Sequence, residues 1–158
     1  MCIRDRPKFV PFSFDSKLYR SRLLPGDVLI NLVGASIGRS CRMPNGVGPA
    51  NINQAVCLLR PESEVDSVWL GHCLQWPTLM AALTGDQVES ARANVSLSDV
   101  RRFGFPMPVD AEKIAISDRL SAIDLLSVKE VDFLAKLQLQ KSGLMQDLLT
   151  GKVRVNVE

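Results

Sequence analysis

The segment Gly34-Ala35-Ser36-Ile37-Gly38-Arg39-Ser40 has the glycine spacing in this sequence that comes nearest to a phosphate-binding loop. In such loops, backbone amides surround the phosphates, and a lysine and a Ser or Thr follow the second glycine. Here the spacing is one residue short, and Arg39 stands where the lysine would be. The segment also connects two predicted strands and opens no helix, so the amides of a helix N-terminus are missing. The pattern favours a hairpin turn that brings Arg39 to the surface.

The cysteines and the one histidine are the remaining candidates for catalysis or metal binding. His72 precedes Cys73 on a predicted helix, where a core or boundary histidine is the favoured interpretation over a Cys-His nucleophile. The four cysteines form no Cys-x-x-Cys pair, so a zinc site would need three dispersed thiolates. Adenine-methyltransferase motifs, a glycine-rich S-adenosylmethionine loop and nuclease-like carboxylates are also missing. We therefore predict a non-catalytic chain without a metal or cofactor of its own.

Positive charge is concentrated in one part of the chain. The net charge is only +2, but residues 17–60 contain six basic side chains and one acidic side chain. Such a composition is typical of a surface that binds an anionic polymer, although a basic surface that only contacts solvent would have the same composition. Arginine contacts phosphates and guanine, and side-chain amides contact adenine. The DNA-binding candidates are Lys17, Arg20, Arg22, Arg39, Arg42, Arg92 and Asn94. Three further amides, at Asn51, Asn53 and Gln54, have the same chemistry, but a structural role is favoured for Asn53 and Gln54.

Apolar periodicity and turn signals predict an α+β fold. Strands are expected over 28–33, 37–43 and 52–59, followed by helical segments 66–75 and 77–84 that Pro77 separates. A capping box at Ser96–Asp99 starts a short helix through Arg102, and the segment up to Pro108 is extended. Trp69, Trp76 and Phe103 are predicted to lie in the core. We expect a small mixed β-rich domain followed by one long helix.

That helix is predicted over 110–150, with Asp110 as its N-cap and Thr150-Gly151 as its stop. It would be about 60 Å long. A heptad frame places apolar residues at most positions of one seam, with a stutter in the middle, and so predicts a coiled-coil-type arm. The alternative is a helix folded back on its own domain. The partner-helix seam consists of Ile116, Leu120, Ile123, Leu134, Leu137, Leu144 and Leu148.

The sequence motifs around the helix resemble those of the DNA-specificity subunit of type I restriction–modification systems. They are Phe103-Gly104-Phe105-Pro106-Met107-Pro108 before the helix and, at its end, Lys141-Ser142-Gly143-Leu144 followed by Leu148-Leu149-Thr150-Gly151-Lys152. Leu24-Pro25-Gly26-Asp27-Val28-Leu29-Ile30 and Gly34-Ala35-Ser36-Ile37-Gly38-Arg39 are similar to the core of that family's target-recognition domain. The resemblance extends from about residue 23 to 154, and the motif at the end of the helix is its most specific part.

This resemblance implies a function in defence against foreign DNA. A recognition domain would bind one half of a bipartite site in double-stranded DNA, and the long helix would dock the modification subunit and pair with a second half-subunit or with the other half of the same protein. S-adenosylmethionine, ATP and magnesium would belong to partner subunits, namely the modification subunit and, indirectly, the motor subunit that cleaves DNA. The alternatives are the recognition part of a fused restriction–methylation enzyme, or a coiled-coil interaction protein without a DNA role.

The expected organisation has four parts. Residues 1–6 resemble a non-native junction, 7–107 form an N-terminally truncated target-recognition domain, 108–151 the spacer helix, and 152–158 a tail. No run approaches the roughly 18 apolar residues of a membrane span, and no signal peptide is recognisable, so we expect a cytoplasmic protein without a membrane partner. The DNA sequence recognised cannot be inferred from these residues, because loop contacts and DNA deformation determine it together.

Overall fold

A three-stranded antiparallel sheet lies at the centre of the N-terminal part of the protein. The computed structural model describes residues 9–85 and 95–155. After a short helix α1 (Phe12–Lys17), strand β1 (Val28–Asn31) lies between β2 (Ser40–Arg42) and β3 (Val56–Leu59). Val28 is paired with Arg42 on one side and with Leu59 on the other. The sheet therefore has two ends, one at the start of β1 and one at its last residue, Asn31.

The turn into β1 is set by the sequence Leu24-Pro25-Gly26-Asp27. Proline fixes its own φ near −65°, and Gly26 adopts φ 86°, the left-handed conformation that the third position of a type II turn requires. The Asp27 amide donates to the Leu24 carbonyl at 3.1 Å, and the Asp27 carboxylate accepts a hydrogen bond from the Leu24 amide at 2.6 Å. Asp27 thus bonds to Leu24 through both its backbone and its side chain, and these two hydrogen bonds fix the residue at which β1 begins.

All three strands are shorter than the periodicity predicts. The segment after β1 forms a short 3₁₀ turn, Gly34–Ser36, and Gly38 adopts φ 78°, so pairing with β2 resumes only at Ser40. The predicted hairpin turn that exposes Arg39 is confirmed. Before β3, the side chain of Asn53 accepts a hydrogen bond from the Ala55 amide at 3.0 Å, and this turn delays the strand.

Two helices follow the sheet and are separated where the sequence predicts. α2 (Glu64–Gln75) is capped by Ser63, which accepts a hydrogen bond from the Asp66 amide, and α3 (Pro77–Thr84) starts at the proline. The prediction that Trp76 lies in the core is wrong, because this residue between the helices is 53% exposed. The buried positions of α2 include the small residues Ser67 and Gly71, which let the helix approach β2 closely.

The core forms where α2, α3 and the next helix, α4 (Leu97–Arg102), meet the sheet. α4 starts with the predicted capping box, in which Ser96 and Asp99 bond reciprocally. The Trp69 indole is buried and donates to the carbonyl of Pro106 at 2.7 Å, so it fixes the extended segment after α4. The buried core residues are Val28, Ile30, Leu32, Cys57, Leu74, Leu83, Val95 and Val100, and Phe103 packs against them as predicted.

The long helix α5 (Asp110–Leu149) has 40 residues and confirms the predicted element. The predicted N-cap is one residue late: amides of the first turn donate to the carbonyl of Val109, so Asp110 lies inside the helix. At its other end Gly151 adopts φ 73° and its amide donates to Leu148, as expected for a C-terminal stop. No helix of the described residues is long and apolar enough to span a membrane.

The chain divides into two compact units, Met1–Ser117 and Asp118–Glu158. The first turns of α5 belong to the first unit, where Lys113 and Ser117 are buried. The ammonium of Lys113 is only 5% exposed and forms ion pairs with Asp66 of α2 and, at 2.8 Å, with Asp110. These contacts anchor the start of α5 to α2.

Candidate DNA interface and assembly helix

Three of the six basic residues in the tract 17–60 are paired with carboxylates inside the first unit. Arg22 pairs with Asp15, Arg42 with Glu64, and Arg60 with Asp27. Two of the three acids, Asp15 and Glu64, lie outside the tract in sequence, so the charge counted along the chain overstates the free positive charge in space. These three arginines lie near the end of the sheet where β1 begins, which we call the Asp27 end.

The pair between Arg60 and Asp27 has the geometry of a fork. Nε and one terminal nitrogen of Arg60 each donate to a carboxylate oxygen at 2.7 Å, and the same terminal nitrogen donates to the carbonyl of Arg22 at 2.8 Å. The Asp27 side chain is 1% exposed and the Arg60 side chain 46%. The hydrogen bonds to Asp27 hold the pKa of Arg60 above its usual value. The arrangement joins the end of β3 to the turn before β1, which is a structural role.

Arg42 and Arg22 are engaged in the same way. Arg42 bonds to Glu64 and donates to Ser67 Oγ at 2.8 Å, and that hydroxyl donates to the Gly26 carbonyl at 2.5 Å. Arg22 forms two hydrogen bonds with Asp15, and they lower the pKa of that carboxyl more than any other contact. Contacts that hold elements of the domain together therefore occupy both predicted DNA-binding arginines.

Asn51 also has its polar atoms satisfied inside the domain. Its amide nitrogen donates to Asp15 at 2.9 Å, and its oxygen accepts a hydrogen bond from Ser21 at 3.0 Å. Together with the Arg22–Asp15 pair, these bonds attach α1 to the segment before β3. Asn51 is therefore a structural amide.

The other candidate cations lie in different places. Lys17 is exposed in the last turn of α1, and Arg20 lies over the ring of its neighbour Tyr19, 5.7 Å from the ring centroid. Arg39 is exposed at the opposite end of the sheet, which we call the Asn31 end. Neither Lys17 nor Arg39 forms an ion pair with another described residue. Two predicted candidates, Arg92 and Asn94, lie outside the described residues.

The Asn31 end brings together two short connections. The Asn31 amide donates to the carbonyl of Arg39 at 2.8 Å, and Asn31 is paired with Val56 on its other side. Gln54 lies in the turn just before β3 and is exposed, whereas the side chain of Asn53 bonds within that turn. The structural role favoured for Asn53 is supported, but the exposure of Gln54 leaves its amide available to a ligand.

Two more arginines, Arg101 and Arg102, are exposed at the end of α4. Burial raises the pKa of the Cys57 thiol, and the nearby positive charge of Arg101 partly opposes this rise. Arg102 lines one pocket together with Thr84, the residue of α3 that a side chain at Gly38 would approach to 3.6 Å. Arg102 therefore lies near the end of α3, and the residue before the α4 cap reaches the Asn31 end, where the Val95 amide donates to the Leu32 carbonyl at 2.9 Å.

The two buried thiols, Cys57 and Cys73, do not resemble activated nucleophiles. Burial raises the pKa of the Cys73 thiol, which disfavours the thiolate. His72, next to it, is half-buried, consistent with the boundary position favoured from the sequence. Within residues 9–85 and 95–155, no cluster of three His, Cys, Asp or Glu side chains could hold a metal ion.

On α5, the predicted seam residues from Leu120 onward are exposed in the single chain, and Ile116 is half-buried. Further exposed apolar residues lie outside the seam: Leu125, Leu126, Val128, Phe133 and Leu139. The heptad frame missed them because it followed one stripe. At 100° per residue, Leu126 and Phe133 lie at the same angle as the seam residues Leu137 and Leu144, so they widen the seam on one side. The helix therefore offers apolar surface on more than one side, including a shallow pocket around Leu144.

Charge is also unevenly distributed along this helix. From Asp110 to Asp132 there are six acidic and three basic residues, whereas the rest of the helix, residues 133–149, contains Lys136 and Lys141 as bases and Asp147 as its acid. Two such helices arranged antiparallel would place the acidic half of each beside the basic half of the other. This asymmetry favours antiparallel over parallel pairing of the helix with a copy of itself.

Comparisons with known proteins provide no family: no family model matches the chain, and no curated protein matches it. The similarity to specificity subunits therefore rests on the phrases quoted above, and the function is argued from residues and geometry.

Proposed function

We propose that this chain recognises double-stranded DNA as the non-catalytic specificity subunit of a type I restriction–modification complex. The observation that carries the proposal is α5, a 40-residue helix with exposed apolar side chains that ends in the Leu148-Leu149-Thr150-Gly151-Lys152 phrase. Apolar surface of this extent is typical of a helix that packs against another protein. Its start is anchored to the α+β unit through Lys113, so a partner bound to the helix would be coupled to that unit.

In this mechanism the α+β unit binds one half of a bipartite DNA site. The seam of α5 packs antiparallel against the equivalent helix of the second half and so sets the spacing between the half-sites. The unequal charge of the two halves of α5 supports that orientation. The same helix would also dock the modification subunit through seam leucines such as Leu134 and Leu137, and that subunit would carry S-adenosylmethionine and methylate adenine. ATP and magnesium would belong to the motor subunit.

The assembly role is tested by binding of the full chain to a cognate modification subunit. We expect Leu134→Asp and Leu137→Asp each to weaken binding about 100-fold, because a desolvated leucine contributes roughly 2–3 kcal/mol and a buried carboxylate adds a penalty. Leu139→Asp is the matched control, since Leu139 is 74% exposed and lies on the opposite side of the helix. Circular dichroism must show equal helix content. Equal effects of all three changes, or no binding by the wild type, would contradict the proposal.

The second candidate function is that of a coiled-coil interaction protein without a DNA role. The internal pairing of Arg22, Arg42 and Arg60 favours it, because these pairs reduce the positive charge available to DNA. The two functions differ in salt dependence, since each phosphate contact contributes about −0.9 to the slope of log affinity against log salt. A DNA-binding chain shows a slope of several units, whereas an interaction protein shows no measurable affinity for duplex DNA.

A further inference from the structure

The pairing of charges divides the first unit into two surfaces with different properties. At the Asp27 end, each of Arg22, Arg42 and Arg60 is neutralised by a carboxylate. Arg39 at the Asn31 end and Arg102 at the end of α4 form no ion pair with any residue that the structure describes. Transferring a paired arginine to a phosphate would first break its internal ion pair, whereas Arg39 has none to break and Arg102 interacts with Asp99 only through its charge, without an ion-pair contact.

The connection that carries Arg39 is held in place by its backbone. The Arg39 amide donates to the Ser36 carbonyl at 3.1 Å and its carbonyl accepts from the Asn31 amide at 2.8 Å. Gly38 lies close to α3, since a Cβ at this position would lie 3.6 Å from Met80 and Thr84. The φ of 78° at Gly38 suits glycine, and a residue with a Cβ would be strained in this backbone conformation. The exposed guanidinium therefore extends from a fixed point, which reduces the entropy lost when it binds a ligand.

Gln54 is presented in a comparable way on the neighbouring connection. The Asn53 side chain and carbonyl accept hydrogen bonds from the amides of Ala55 at 3.0 Å and Val56 at 3.2 Å, so the turn is closed around Gln54. Arg39 and Val56 flank Asn31 on the two neighbouring strands, and two strand spacings are about 10 Å. The backbone positions of Arg39 and of Val56, which follows the turn that carries Gln54, are thus separated by less than the width of the major groove, which is about 12 Å.

We propose that the DNA-binding surface of this protein is the Asn31 end, where Arg39 and Arg102 contact phosphates and Gln54 contacts a base edge, and that the tract Lys17–Arg22 with Arg42 is not part of it. This inference rests on the proposed function, because it states which side of the unit faces DNA. An amide can donate to N7 and accept from N6 of adenine, so adenine is the base that suits Gln54. Phosphate and base contacts have different experimental signatures, and these make the assignment testable.

The test uses the full chain and a fluorescent duplex pool of random sequence, with binding followed by anisotropy over a series of salt concentrations. Arg39→Ala and Arg102→Ala are each expected to reduce the magnitude of the log–log slope by about 0.9. Lys17→Ala is the matched control, because it removes one exposed cation from α1 and is expected to leave the slope unchanged. Gln54→Ala is expected to leave the slope unchanged but to change the sequences that the protein enriches from the pool.

Two results overturn the inference, and they have different meanings. If Lys17→Ala lowers the slope and Arg39→Ala does not, the protein binds DNA through another surface, and only the assignment to the Asn31 end fails. If the folded wild-type chain binds no duplex even at low salt, the proposed function fails as well. Melting curves for every variant separate a lost contact from a lost fold.

Discussion

The fork between Arg60 and Asp27 provides a stability prediction whose size can be worked out from the structure. Asp27 accepts three hydrogen bonds, two from Arg60 and one from the Leu24 amide. Removing one partner of a fully buried ion pair costs about 3–5 kcal/mol, and removing one from an exposed pair about 0–1 kcal/mol. Because Asp27 is 1% and Arg60 46% exposed, this pair lies between the limits. We expect Arg60→Met to lower the free energy of unfolding by about 2 kcal/mol.

The measurement is urea unfolding followed by circular dichroism, with Arg39→Met as the matched control. Arg39 is exposed and forms no ion pair with another described residue, so its replacement should change stability by less than about 0.5 kcal/mol. In a double-mutant cycle, Asp27→Asn with Arg60→Met should destabilise the protein by less than the sum of the single changes, with a coupling of about 1–2 kcal/mol. Equal effects of Arg60→Met and Arg39→Met, or strict additivity, would refute the structural role of the fork.

Three further predictions concern the contacts that hold the first unit together. Leu74→Ala should destabilise the protein by about 3 kcal/mol, measured by urea unfolding, because it opens a cavity in the core. Trp76→Phe should leave only the buried Trp69, with blue-shifted and weakly quenched fluorescence, whereas Trp69→Phe should leave red-shifted emission that acrylamide quenches efficiently. The hydrogen bond from Lys113 lowers the pKa of Asp66, so its stabilisation is present above the usual Asp pKa of about 3.9 and is lost as pH falls through the lowered value. Asp110 and then Asp66 raise the pKa of Lys113, so on the alkaline side the same contact stabilises below about pH 10.4 and is lost as pH rises through the raised value. The unfolding free energy of Lys113→Met, measured against pH, should therefore lack both the loss of stability on the acid side and the loss on the alkaline side.

The turns and helix ends were predicted correctly from the sequence, because they depend on the residues at those positions. The Pro25-Gly26 turn, the division of the helices at Pro77, the capping box at Ser96 and the stop at Gly151 all depend on the backbone preferences of one or two residues. These preferences hold regardless of what packs nearby, so the sequence alone was sufficient. The 40-residue helix is predictable for a different reason. Its apolar pattern continues over many turns without a proline, and a pattern of that length indicates a helix.

Burial and ion pairing depend on tertiary contacts, and they could not be predicted from one sequence. Trp76 was placed in the core by periodicity, but the break at Pro77 turns it toward solvent, and Ser67 and Gly71 face the sheet in its place. The basic tract also resembles a continuous DNA-binding surface in the sequence, because two of the acids that neutralise it, Asp15 and Glu64, lie outside the tract. Asp15 and Glu64 contact Arg22 and Arg42 only in the folded unit, and only there does Arg39 differ from them, since it forms no ion pair with another described residue.

The proposed function predicts that this protein gives a modification complex its DNA sequence preference. The most direct measurement is selection from a random duplex pool by a modification subunit alone and by the same subunit bound to this chain, followed by sequencing. The account predicts that only the complex enriches a motif, and that the motif has two separated halves. Enrichment of the same sequences with and without the chain, or of none by the assembled complex, would contradict it.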